Sequence, residues 1–169
     1  QGSHGGAVFA KNGAMVRFQY SNMTGNIATA HGGGVYIQDA SSSLYISNSN
    51  FTSYQSPNGN GGFCYSSHSK LHINDTIIKS NNAKSGAGIY VHLGTLNLHK
   101  SEVTSNIATD TGGGMVIYKG TATMTDSIIN GNKGILHAGG IYVEGHNDFT
   151  GKLLMTRCLI KNNEQNGGN

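Results

Sequence analysis

Four charged residues at nearly regular spacing offer the chain's best chance of carboxylate chemistry. Asp75, Lys100, Asp126 and Arg157 alternate in sign, and Tyr20 and Asn48 precede them at a similar interval. Two carboxylates on one face could serve glycosyl transfer as acid and base, at roughly 6.5–9.5 Å for inversion. A general acid, however, needs a raised pKa, and a cation between the two works the other way. The column therefore reads as a salt ladder that ties neighbouring strands together. Lyase chemistry would need clustered carboxylates for calcium and a basic residue to abstract a proton. Only eight acids are present: Asp39, Asp75, Glu102, Asp110, Asp126, Glu144, Asp148 and Glu164. Apart from Asp75 and Asp126 they share no column, so no catalytic set is assigned.

Other residue types give weaker signals. The eight histidines (His4, His31, His68, His72, His92, His99, His137 and His146) show no metal-ligand spacing and read as solvated surface groups, so no metal site and no cofactor are expected. Cys64 and Cys158 are too few for a disulfide framework. The 11 basic residues are isolated, whereas nucleic-acid binding calls for clustered cations, so no nucleic-acid partner is expected. No apolar run approaches the length of a membrane span, so direct insertion is not expected. Three Asn-x-Ser/Thr triplets, at Asn22, Asn50 and Asn74, are about what the Asn and Ser/Thr content gives by chance.

The elements that must position these residues come from an internal repeat. Gly-Gly pairs or close variants precede Val8, Val35, Phe63, Ile89, Met115 and Ile141, at spacings of 27, 28, 26, 26 and 26 residues. A second block follows each. Its apolar columns are Val16, Leu44, Leu71, Leu96, Ala122, Leu153 and Phe18, Ile46, Ile73, Leu98, Met124, Met155. A small column follows at Ser21, Ser49, Thr76, Ser101, Ser127 and Cys158. The block closes on Asn26, Tyr54, Asn81, Asn106, Asn132 and Asn163.

Alternation at period two makes these segments strands. A two- or three-strand unit of about 26 residues cannot bury its own apolar face and must stack on its copies. The result is an all-β solenoid, a parallel β-helix of about six coils, with equivalent residues stacked about 4.8 Å apart. The Gly-Gly sites then need positive φ or close backbone approach at one corner. Asn26, Asn81, Asn106, Asn132 and Asn163 form an amide ladder at another, broken by Tyr54 in the coil with a Gln55-to-Gly59 loop. Gly145 to Gly151 should bulge from the rod. Cys64 and Cys158 fall about 14 Å apart, too far to bridge, with Cys158 a buried hydrophobe.

The residue after each Gly-Gly-aliphatic motif is Phe9, Tyr36, Cys64, Tyr90, Val116 and Tyr142. If the flanking aliphatic residues point inward, Phe9, Tyr36, Tyr90 and Tyr142 form an outward stripe suited to a sugar or a protein partner. With the opposite parity the rings pack inside. A third column, Thr24, Thr52, Lys79, Thr104, Asn130 and Lys161, carries an ice-binding alternative that its two lysines interrupt.

Gly5-Gly6-Ala7-Val8, together with Met23-Thr24-Gly25-Asn26, Ile78-Lys79-Ser80-Asn81, Val103-Thr104-Ser105-Asn106, Ile129-Asn130-Gly131-Asn132 and Ile160-Lys161-Asn162-Asn163, resembles the repeats of chlamydial polymorphic outer membrane proteins. Those repeats pair Gly-Gly-Ala-aliphatic with Phe-x-x-Asn. Here Phe51 is the only Phe in that column, and its copy ends in Tyr54. The resemblance runs from Gly5 to Asn169. It implies a right-handed parallel β-helix of the pectin-lyase-like kind, extracellular or at the cell surface, engaged in adhesion to a glycan or a surface protein. A carbohydrate-active enzyme fragment is the competing reading of the same fold. Residues 1–4 read as an expression-tag remnant, and 5–169 as the repeat domain of a longer solenoid whose uncapped coils could associate end to end.

Overall fold

A computed structural model describes residues 3–146 and 149–167. Asp148 and Gly168 lie outside the described residues. Each turn of chain visits four parallel sheets, and successive turns add one strand to each. The first sheet contains Val8–Ala10, Val35–Gln38, Cys64–Ser67, Ile89–His92, Met115–Tyr118 and Ile141–Glu144. The second contains Met15–Gln19, Ser43–Ser47, Lys70–Asn74, Thr95–His99, Thr121–Thr125 and Lys152–Thr156. The third begins with Asn22–Thr24 and Asn50–Thr52 and ends with Leu159–Lys161. Every strand pair in these sheets is parallel, so the chain is a β-helix.

The core is a set of vertical columns. Leu44, Leu71, Leu96 and Ala122 stand in register, as do Ile46, Ile73, Leu98 and Met124, all at most 2% exposed. Their equivalents in the last coil, Leu153 and Met155, continue the register. Met155, in the last described coil, is 45% exposed.

A fourth sheet, not anticipated from the sequence, contains Gln55–Asn60, Asn82–Ser85, Ile107–Ala108, Lys133–Gly134 and Glu164–Gln165. Several of its strands have two residues, too short to show alternation. The expected Gln55-to-Gly59 loop is thus a strand. Its extra length is absorbed by an irregularity opposite Ala83 and Ser85. Where Gly145 to Gly151 was expected to bulge, His146 and Phe149 form a short antiparallel bridge, and residues 147–148 lie outside the described residues. Ser3 and His4 bond to the first coil, where the Ser3 carbonyl accepts from Ala30 N–H at 2.8 Å and His4 bridges His31.

The corners are set by left-handed residues. Gly5, Gly32, Gly61, Gly86 and Gly112, each opening a corner motif, have φ between 58° and 70°. At Gly33, the next residue, a Cβ would meet the Gln55 and Gly62 carbonyl oxygens at 2.4 Å, so close approach requires glycine as well. The column Tyr20, Asn48, Asp75, Lys100, Asp126 and Arg157 turns the chain from the second sheet to the third, with φ of 44–53° throughout. Its spacing marks a bend, and the charges sit on that bend.

Two hydrogen-bond ladders hold the coils in register. The Asn81 side-chain amide donates to Asn106 Oδ1 at 2.8 Å, Asn106 to Asn132 at 2.9 Å, and Asn132 to Asn163 at 2.9 Å. Each of these oxygens also accepts the backbone N–H of the preceding asparagine. Asn81, Asn106 and Asn132 are essentially fully buried. Asn26 does not join this chain, because Tyr54 stands between, and its amide turns back to the Thr24 carbonyl at 3.3 Å. The second ladder is the small column. The hydroxyls of Ser49, Thr76, Ser101 and Ser127 donate to the carbonyl two residues earlier. Ser101 Oγ and Ser127 Oγ also accept N–H groups from the coil before. Cys158 closes this column only partly buried, with Sγ 3.4 Å from the Thr156 carbonyl.

Asn106→Ala leaves both Asn81 donors without their acceptor inside the rod and removes one donor from the Ile78 carbonyl. The expected loss is about 3 kcal/mol by urea unfolding, against under about 1 kcal/mol for Asn26→Ala.

Candidate functional site

On the first sheet the aliphatic residues point inward: Val35, Ile37, Ile89, Val91, Met115 and Ile117 are all 0% exposed. The alternate residues therefore point away from the core, although Tyr65 is only 9% and Val116 2% exposed. They form a ladder in which Phe9 stacks on Tyr36 at 5.3 Å, Tyr36 on Tyr65 at 5.1 Å and Tyr65 on Tyr90 at 5.2 Å between ring centroids. Interplanar angles of 12–24° make these near-parallel stacks. The parity left open by the sequence is thus outward.

Tyr65 corrects the sequence alignment. Val35 pairs with Cys64, and Tyr36 with Tyr65, so Phe63 and Cys64 each sit one place earlier than expected. The cause is a substitution inside the corner. Phe63 occupies the position that Gly34 holds one coil below and Gly88 one coil above, and it packs inward on Phe51 at 4.3 Å. Gly34 makes room, since a Cβ there would meet Tyr54 at 2.9 Å and Phe63 at 3.0 Å. Cys64 is wholly buried, and burial pushes its thiol up.

Histidines enlarge the aromatic face, against the expectation of solvated groups. His31 stacks on Tyr65 at 4.7 Å, and His4 meets Tyr36 edge-on at 4.7 Å. Desolvation, then the neighbouring His4, holds His31 below its usual pKa. Desolvation, then His68 and Lys119, does the same to His92. Burial raises the Tyr36 hydroxyl and pushes that of Tyr65 up to about 12. Both kinds of shift favour the neutral form of these groups. Val116 interrupts the ladder, and Tyr142 resumes it one coil later, its hydroxyl donating to Glu144 Oε2 at 3.0 Å.

A second aromatic run, unnoticed in the sequence, stands on the adjoining sheet. Arg17 lies over Tyr45 at 5.5 Å, Tyr45 stacks on His72 at 4.9 Å, and Asn97 contacts His72 at 3.3 Å. These residues line a shallow groove of about 310 Å³. The register Arg17–Tyr45–His72–Asn97 mixes residue types, so no single-type column marks it.

The expected salt ladder reduces to one pair. Arg157 binds Asp126 through two contacts of 2.6 and 2.8 Å. Among the described residues Lys100 pairs with neither Asp75 nor Asp126, and Asp75 instead accepts from the Asn74 amide. Arg157 holds Asp126 below the usual carboxylate value, the opposite of what a general acid needs. Thr24, Thr52, Lys79, Thr104, Asn130 and Lys161 do stand in register on the third sheet.

The family described as "Right handed beta helix region" matches residues 5–169. The chain belongs to that family. No curated protein and no solved structure matches it significantly. As a right-handed β-helix, it carries its aromatic ladder on one lateral face, with the Asn ladder buried inside.

Three exposed carboxylates brace the helix. Asp39 accepts from Ser41 at 2.7 Å, from both Ser42 donors and from Asn12 and Gly13 of the coil before. The Ser41 hydroxyl, followed by the Asn12 N–H, holds it well below the carboxylate range. Arg157 lowers Asp126, and Lys133 lowers Glu164. A carboxylate depressed on folding contributes stability above its unfolded pKa and loses it as pH falls through the folded value. The urea midpoint should therefore be flat above the ordinary values of 3.8 for Asp and 4.5 for Glu and decline below them. Asp39→Asn should lower the midpoint at neutral pH and lessen that acid-side decline. An unchanged acid limb would contradict the assignment.

Proposed function

We propose that the chain is a non-catalytic β-helix repeat segment of an extracellular adhesin or surface-display protein. Its lateral aromatic face contacts a glycan on the opposing surface. The observation that carries this reading is the outward stack Phe9–Tyr36–Tyr65–Tyr90. The rungs are fixed by backbone register, so the rings lose little freedom on binding. Each interior rung has its two faces covered by neighbours and presents only its edge at the surface, Tyr65 being 9% exposed. Such a row suits a ligand with hydroxyls spaced along its length.

The test is binding of the purified chain to a glycan array, with Tyr36, Tyr65 and Tyr90 changed together to Ser. Folding is checked by the urea midpoint. Loss of at least tenfold in apparent affinity is expected, with Thr24→Ala/Lys79→Ala on the third sheet unchanged. Equal binding by wild type and the triple variant would remove the aromatic face from the reading. Binding to a surface protein but to no glycan would redirect it to a protein partner.

A further inference from the structure

The break in the ladder has a chemistry of its own. Inside the run from Phe9 to Tyr90, neighbouring rings cover one another's faces. At Val116 the run stops for one coil, so Tyr90 and Tyr142 stand two rungs apart, about 9.6 Å. A concavity of about 250 Å³ lies at this break, lined by Tyr90, Val116 and Tyr142, with His137 packed against the Tyr142 ring at 5.2 Å between centroids. Val116 is its floor, and Tyr118, His137, Asp110 and Glu144 complete its walls.

The charge around this gap is negative. Glu144 holds the Tyr142 hydroxyl at 3.0 Å, and Asp110 accepts from Thr111 at 2.9 Å. Neither Lys nor Arg lines the concavity. Elsewhere, ring faces are met by cations of the chain itself. Lys11 lies over Phe9 at 5.6 Å, Arg17 over Tyr45 at 5.5 Å, and Lys119 over Tyr118, at the rim of the gap, at 5.0 Å. Among the described residues no such cation lies over Tyr90 or Tyr142.

We propose that the concavity at Val116 binds an organic cation, an alkylated ammonium group held among the rings of Tyr90, Tyr118 and Tyr142. A cation is attracted to an aromatic face within roughly 6 Å of the ring centre, and the concavity brings three tyrosine rings together. Asp110 and Glu144 supply the counter-charge. A small inorganic cation would surrender its hydration shell to rings that cannot replace it, whereas an alkylated one is weakly hydrated. This assignment goes beyond the glycan reading and does not need it to hold.

The test uses choline, with 3,3-dimethylbutan-1-ol as its uncharged counterpart, titrated against the chain and followed by NMR of the methyl protons. Choline should bind at least tenfold more tightly and shift upfield from the ring currents. Val116→Tyr fills the missing rung and should abolish that binding while leaving the glycan interaction of the continuous ladder in place. Glu144→Gln, which keeps the shape of the site, should weaken choline several-fold. A parallel titration with N-acetyl-lysine amide tells a quaternary head group from a primary amine as the preferred source of the charge. Equal binding of choline and the neutral alcohol, or wild-type choline binding by folded Val116→Tyr, would overturn the proposal.

Discussion

The structure depends on axial register. The backbone hydrogen bonds of a parallel β-helix run along the rod, so every residue is fixed above its counterpart one coil away. A side chain that satisfies itself within one coil contributes little to that arrangement. One that bonds to its own copy reinforces every rung at once. Asn81, Asn106 and Asn132 do so in the dry interior, each accepting at one oxygen and donating to the next. There an unpaired amide would be costly, and a shift of register would unpair several together. The serine column performs the same task at the bend between the second and third sheets.

The same register turns a one-residue choice into a surface. Outward tyrosines on successive strands must stack, because the strand spacing is close to the separation of stacked rings. Stacking has a price for recognition, since it hides the faces that sugars and cations use. The ladder opens where a rung is missing, and Val116 is such a place, with a concavity beside it. Within one ladder, continuity therefore gives rigidity and a row of hydroxyls, while interruption gives a pocket.

The repeat and its inward columns were legible because period-two alternation recurs with little change in length. The errors have particular causes. Phe63 stands where neighbouring coils have glycine, which moved Tyr65 out of its column and put Cys64 in its place. The fourth sheet escaped because strands such as Ile107–Ala108 are too short to alternate. The column from Asp75 to Arg157 was read for its charges, whereas its common property is a positive φ that residue type signals only weakly outside glycine, asparagine and aspartate. The groove beside Tyr45 and His72 joins unlike residues through register alone. The candidate site was thus half visible: the stripe could be read, but nothing in the residue types marked Val116 as the place where it opens.

The side-chain amide protons of Asn81, Asn106 and Asn132 give the most direct measure of this register. In a nitrogen-edited NOE spectrum they should connect in sequence from coil to coil and exchange with solvent orders of magnitude more slowly than those of exposed asparagines. Rapid exchange at these amides, with no cross-peaks linking Asn81 to Asn106 and Asn106 to Asn132, would contradict a rod built on stacked copies.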